Sequence, residues 1–197
     1  MARAIDTSTF IEGGIPVESY LINDTANLSN EAIIDELMQQ YGEDVLKLVM
    51  QYVHNNSVAE DLTQEIFVKC YRALPTFQYG SSLKTWLWRI AINHSKDYLK
   101  SWYAKNVEAK DDEVFMKVES SHSVEQEVIQ QQEDADLVKA VMALPVKYRE
   151  VIYLCYYEDR TMKEMADVLQ INENTVKTRL RKGKQLLKKH LEREENG

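Results

Sequence analysis

The chain has 197 residues, 44% hydrophobic and 28% charged, enough for one large helical or mixed domain or two small ones with real cores. Six glycines and three prolines argue against a loop-rich all-β fold. The longest strictly apolar run, Val151 to Tyr157, is far below the about 20 residues that a bilayer requires, and the N-terminus, with Arg3 and no apolar stretch behind it, lacks the pattern of an export signal. The net charge of −8 speaks against a nucleic-acid partner until its distribution is considered.

Residues 1–29 show no periodicity, contain Gly13-Gly14 and Pro16, and read as a flexible N-terminal extension. From Asn30 to His54, Ile34, Leu37, Met38, Tyr41, Val45, Leu48, Val49 and Tyr52 recur in steps of three and four, which predicts an amphipathic helix. Leu62, Ile66, Cys70 and Leu74 predict a second over Val58 to Leu74, stopped by Pro75. Thr76 to Ser82 reads as a loop with Gly80 at its tip. Leu83 to about Tyr103 is helical again through Leu87, Ile90, Ala91 and Leu99. These three helices can share one core, a first domain over 30–103.

Residues 104–136 carry three cations against ten acids, with a run at Gln130-Gln131-Gln132, and are expected to form an acidic linker that includes a helical piece around Val124 to Leu137. A second domain over 137–192 follows: Leu137 to Leu144, the breaker Pro145, a helix from about Val146 to Tyr157, and two more helices around a second, smaller core. The fold class expected is all-α, two small helical domains joined by an acidic linker. Cys70 and Cys155 lie within apolar periodic stretches without CxxC spacing, as reduced core residues of a cytoplasmic protein would.

Residues 139–197 reverse the charge balance, with thirteen cations and nine acids. Between Asn174 and His190 there are seven cations (Lys177, Arg179, Arg181, Lys182, Lys184, Lys188 and Lys189) and no acid, the electrostatic footprint of a phosphate-binding surface. The same stretch closes a helix-turn-helix pattern. Thr161-Met162-Lys163-Glu164 is a capping box, in which the hydroxyl and the carboxylate each satisfy a free backbone N–H. Met165, Ala166, Val168 and Leu169 supply a buried face, Gln170-Ile171 a tight turn with Ile171 as its plug, and Asn172 a cap for the next helix. On that helix Val176, Leu180, Leu186 and Leu187 face inward, while Lys177, Thr178, Arg181 and Lys182 project from the turns that enter a major groove in such motifs.

A second unusual stretch runs from Phe77 to Trp102. Phe77, Tyr79, Trp86, Trp88, Tyr98, Trp102 and Tyr103 interleave there with Lys84, Arg89, Lys96 and Lys100. Rings that stack on bases and cations that follow phosphates suit single-stranded nucleic acid. Trp86, Leu87 and Ile90 are expected in the core, and the loop rings Phe77 and Tyr79 remain for exposed bases.

With these residues in view, the chain resembles the extracytoplasmic-function sigma factors, the smallest group of the sigma-70 family, over about 31–103 and 139–190. Asp61 to Arg72 resembles the region 2.2 helix that docks on core RNA polymerase. Phe77 to Ala91 resembles the promoter-melting segment, and Ile92 to Leu99 the part that meets the minus-ten element. Ala143-Leu144-Pro145 with Arg149-Glu150-Val151 resembles the opening of region 4, and Thr175 to Leu180 the minus-thirty-five recognition helix. Glycine is common in the family where this chain has Gln170 and Asn174.

The resemblance implies a transcription initiation factor with core RNA polymerase and promoter DNA as partners, together with an anti-sigma factor, in many members a membrane protein. It implies polymerase contacts by Asp61, Gln64, Glu65 and Phe67. Contacts with the opened minus-ten strand fall to Phe77, Tyr79, Ser82, Trp88, Arg89, Asn93 and Lys96. Contacts with the minus-thirty-five duplex fall to Asn174, Thr175, Lys177, Thr178, Arg181 and Lys182, with Lys147 and Arg149 on phosphates. No catalytic residue, cofactor, metal or small-molecule substrate is expected: there is no phosphate loop, zinc-ligand cluster or HExxH, and His54, His94, His122 and His190 are scattered.

Magnitudes make the polymerase necessary. Opening four base steps costs roughly 6 kcal/mol in lost stacking, at about 1.4 per step. One or two captured bases return about 1–3 kcal/mol each, so the first domain alone does not hold a promoter open. A stand-alone repressor would dimerise on a palindrome, and no sustained heptad supports that; a metal-dependent nuclease would need acids converging in a basic cleft.

Overall fold

The computed structural model describes residues 29–78, 80–106 and 132–194. Tyr79, most of the acidic linker and nearly all of the N-terminal extension therefore lie outside the described residues. Among the described residues seven α-helices follow in order: α1 (Asn30–Val53), α2 (Asn56–Ala73), α3 (Leu83–Asn106), α4 (Gln132–Met142), α5 (Val146–Tyr156), α6 (Met162–Leu169) and α7 (Glu173–Glu194). The described residues contain no strand, and no helix among them is long and apolar enough to cross a membrane.

The helix boundaries have local causes. The Ser29 hydroxyl accepts from the Ala32 N–H at 3.3 Å and starts α1, which ends where His54 turns left-handed (φ 53°) and donates its N–H to Met50 O. Asn55 caps α2 by accepting from the Val58 N–H at 3.0 Å. Pro75 converts the end of α2 into the 3₁₀ turn Leu74–Thr76. Ser82 starts α3, its hydroxyl accepting from the Thr85 N–H at 3.1 Å.

Helices α1, α2 and α3 pack on one another through Leu37, Val45, Leu48, Ile66, Leu87 and Ile92. Helix α7 packs on α4, α5 and α6 through Leu154, Met165, Val176 and Leu180. Gly183 lets α5 and α7 come close: a Cβ there would stand 3.1 Å from Ile152 Cγ1 and 3.4 Å from Tyr148 O. Burial pushes the Cys70 thiol up to about 12, in keeping with its reading as a reduced core residue, and Cys155 is half-buried.

One expectation needs revision. The two helical units do not keep separate cores: the buried apolar residues form one continuous cluster, and α1 packs on α5 and α3 on α6. Tyr41, Trp88 and Arg160 meet at this junction. Trp88 packs edge-on against Tyr41 with ring centroids 5.5 Å apart, and the Arg160 guanidinium, from the turn between α5 and α6, lies 5.8 Å from the Trp88 ring centroid.

Candidate nucleic-acid interface

Helices α6 and α7 build the helix-turn-helix. The Glu164 N–H donates to the Thr161 hydroxyl at 3.3 Å and the Thr161 N–H donates to Glu164 Oε2 at 2.8 Å, which completes the capping box. The Thr161 hydroxyl also donates to Glu164 Oε2 at 2.7 Å, and this bond first, then the one from the Thr161 N–H, holds the Glu164 carboxyl below its ordinary pKa. The turn is tight because Gln170 adopts the left-handed conformation (φ 55°, ψ 43°), and the Ile171 N–H, one residue on, donates to Ala166 O at 3.1 Å. Asn172 Oδ1 then accepts from both the N–H (2.7 Å) and the hydroxyl (2.9 Å) of Thr175, which aims α7.

Beyond that cap the helix has two faces. Val176 and Leu180 are buried against α6, whereas Asn174, Lys177, Thr178, Arg181 and Lys182 are exposed. Positions 174, 177, 178 and 181 fall on one stripe, about 10 Å long at 1.5 Å per residue, the rise of about three base pairs. Lys177, Arg181 and Lys182 pair with no carboxylate of the described residues. Thr178 spends its hydroxyl proton on Asn174 O at 2.8 Å and offers the oxygen outward as an acceptor. Lys147 is exposed, with its Nζ 5.2 Å from the centroid of the Tyr148 ring. The residues expected to face the groove are thus brought together, with half-buried Thr175 serving the cap as well.

Arg149 is a correction. It is 1% exposed, donates to Met142 O at 2.6 Å and lies against the His54 ring. A guanidinium so enclosed holds the junction of α1, α4 and α5 and does not reach a phosphate.

The α3 set divides. Phe77 leans on Trp86 with centroids 5.2 Å apart, Ser82 is exposed at the helix start, and Asn93 is exposed on the helix. Trp88 is a second correction: fully buried, it is core and cannot stack on a base in this arrangement. Arg89 and Lys96 are half-buried and engaged with the other helical unit. Arg89 Nε donates to Asp167 O at 2.9 Å, and Lys96 Nζ lies 2.7 Å from Glu150 Oε2.

On α2, Asp61, Gln64 and Glu65 are exposed as expected. Phe67 is a third correction, since it is 3% exposed and packs inward beside Ile66. Two residues missed in the sequence, Val68 and Tyr71, are the exposed apolar side chains of that face. Their spacing from Asp61, Gln64 and Glu65 in steps of three and four was the available signal. Glu65 Oε2 also lies 2.7 Å from His94 Nε2, whose Nδ1 lies 2.6 Å from Lys69 Nζ.

Both helical units match the sigma-70 family: Sigma-70 region 2 covers residues 37–103, and Sigma-70, region 4 covers residues 134–187. The chain is 30% identical over 168 residues to the RNA polymerase sigma-H factor of Pseudomonas aeruginosa, covering 80% of this chain and 86% of that protein. It is also 30% identical to the ECF RNA polymerase sigma factor SigM of Bacillus subtilis, over 79% of this chain and 93% of that one. The chain belongs to the extracytoplasmic-function sigma factors of the sigma-70 family. Promoter recognition and transcription initiation are accordingly the function of this sigma factor. The sigma factor RpoE from Bartonella quintana, solved in complex with the anti-sigma factor NepR, shares its fold. The TM-score is 0.63 at 19% identity, with 81% of this chain and 97% of that one covered.

Proposed function

We propose that this sigma factor divides its work among three sets of residues. The exposed side of α2, with Asp61, Gln64, Glu65, Val68 and Tyr71, docks core RNA polymerase. Phe77, Tyr79, Ser82 and Asn93 hold the opened minus-ten strand, and Arg89 and Lys96 follow its phosphates. The N-terminal turns of α7, with Asn174, Thr175, Lys177, Thr178, Arg181 and Lys182, read the minus-thirty-five duplex, while Lys147 takes a neighbouring phosphate. The working units are a 30–103 polymerase and minus-ten domain and a 137–192 minus-thirty-five domain, with 1–29 as an extension and 104–136 as the acidic connection.

One observation carries this reading: the acid-free, outward stripe on α7, ordered by the Asn172 cap and free of ion pairs among the described residues. A helix about 10–12 Å across fits the major groove, about 12 Å wide. The protein contributes no catalytic group, since phosphodiester formation belongs to the polymerase, and it works in the cytoplasm where that enzyme is. An anti-sigma factor as inhibitory partner follows from what the Bartonella relative was solved with.

In vitro transcription with core RNA polymerase and fragmented genomic DNA tests the reading. Discrete start sites that require the protein and share two spaced upstream motifs are expected. Tight sequence-specific binding by the protein alone, with no new starts, would replace the reading with that of a stand-alone regulator.

A further inference from the structure

The exposed side of α2 borders a groove that it shares with α3, and one histidine crosses it. Asp61, Glu65 and Lys69 line the groove from α2, and His94, Asp97 and Tyr98 line it from α3. Both nitrogens of the His94 ring are engaged with α2: Nε2 lies 2.7 Å from Glu65 Oε2, and Nδ1 lies 2.6 Å from Lys69 Nζ. The His94 side chain is 11% exposed, whereas that of Glu65 is 61% exposed. An enclosed ring on α3 therefore holds one oxygen of a carboxylate that stays open to a partner.

The two partners fix the state of the ring. A lysine ammonium only donates hydrogen bonds, and a carboxylate only accepts them. Nδ1 must then carry the lone pair that receives Lys69, and Nε2 the proton that goes to Glu65. That is a neutral imidazole in a single tautomer, with one donor and one acceptor. A second proton would sit on Nδ1 and set donor against donor, so Lys69 would leave the ring. The imidazolium would also cancel the charge of the carboxylate it holds. The remaining ionisable groups of the groove are Asp61, Tyr98 and Asp97, the last with its Oδ1 3.6 Å from Lys100 Nζ.

We infer that His94 is a positioning residue for polymerase docking: set in its neutral tautomer by Lys69, it aims the charged Glu65 carboxylate from the α2 face, and protonation of the ring withdraws that charge. The inference rests on the docking role proposed for α2.

The test measures affinity of the full chain for core RNA polymerase by fluorescence anisotropy. His94→Leu removes both hydrogen bonds, while His94→Gln keeps a donor and an acceptor but takes up no proton. At about pH 8, His94→Leu should dock about three- to tenfold more weakly than wild type, the scale of one hydrogen bond, and His94→Gln within about twofold of it. From about pH 8 to about pH 6, where histidine ordinarily changes charge, wild-type docking should weaken severalfold more than that of His94→Gln. In a Glu65→Ala background the His94→Leu loss should vanish, because a positioning residue acts through the group it aims.

Wild-type affinity in His94→Leu would overturn the inference. So would a full His94→Leu loss in the Glu65→Ala background, or parallel pH profiles for wild type and His94→Gln. Glu65→Ala separates the two levels. Docking unchanged in that variant rejects the docking role of Glu65 and the inference with it, whereas weakened docking beside an unaffected His94→Leu rejects the inference alone. Should His94→Leu fail to fold, the pH profiles of wild type and His94→Gln decide.

Discussion

Trp88 separates a core role from a DNA-binding one, because the two make opposite demands. Its indole is fully buried, edge-on to Tyr41 and flanked by Lys84 and Arg160. Truncating a buried tryptophan to alanine costs about 3–5 kcal/mol. The edge-to-face pair adds about 0.5–1.5 kcal/mol, which puts Trp88→Ala near 5 kcal/mol. Against a total stability of about 5–15 kcal/mol that variant is marginal. Trp88→Phe keeps a ring against Tyr41 and should cost about 1–2 kcal/mol, less than full truncation. Urea unfolding followed by far-ultraviolet circular dichroism measures this, and permanganate reactivity of promoter thymines in the holoenzyme measures opening. The expected result is lower stability with opening unchanged within about twofold at a temperature where the variant is folded. Stability within about 0.5 kcal/mol of wild type, together with a tenfold loss of opening, would show that the indole meets a base.

Three further outcomes follow from the geometry. Lys177→Ala, which removes a cation that pairs with no carboxylate of the described residues, should lower the salt slope of minus-thirty-five duplex binding by about one unit; an unchanged slope removes Lys177 from the phosphate contacts. Thr161→Ala should cost about 1 kcal/mol through loss of the cap. Because Thr161 holds the Glu164 carboxyl below its ordinary value of 4.5, the Glu164 contribution is full above that value and fades as pH falls through the lower folded-state value. Urea midpoints of the variant should therefore fall less steeply in acid than those of wild type, by a small margin since Glu164 is partly exposed. Gln170→Gly should relieve the left-handed strain at φ 55°; the gain is about 0.5–1 kcal/mol, since glycine also frees the unfolded chain. It should read as a Tm raised by about 1–4 °C, and a lower Tm would contradict that account.

Part of the helical framework was legible because some helices announce their starts locally: Thr161 and Asn172 accept the capping hydrogen bonds expected of them, and Ser29 and Asn55, which the sequence reading did not single out, do the same for α1 and α2. The α7 stripe was legible for a similar reason, since an acid-free run at helical spacing needs no tertiary information. What failed lay beside the buried stripes. Phe67 follows Ile66 and Trp88 follows Leu87, and a core stripe wider than one residue takes in both members of such pairs. Arg149 misled because arginine is rarely enclosed without partners, and its partners His54 and Met142 come from other helices. The junction through Glu150 was illegible altogether: Tyr52 lies 98 residues away along the chain, and no local pattern marks the pairing.

The length of α7 has a mechanical consequence. Its 22 residues extend about 33 Å at 1.5 Å per residue, while the outward stripe takes up only the first ten or so. The remainder is a shaft, seated on α5 where Gly183 lets the two backbones close and on α4 beyond. Rotating such a rod by about 10° about its far end swings the tip by roughly 6 Å, nearly two base-pair steps of about 3.4 Å. On the proposed reading, residues remote from that tip, Ile152 and Gly183 foremost, set its bearing on the duplex, and substitutions there should shift promoter spacing preference before they weaken binding.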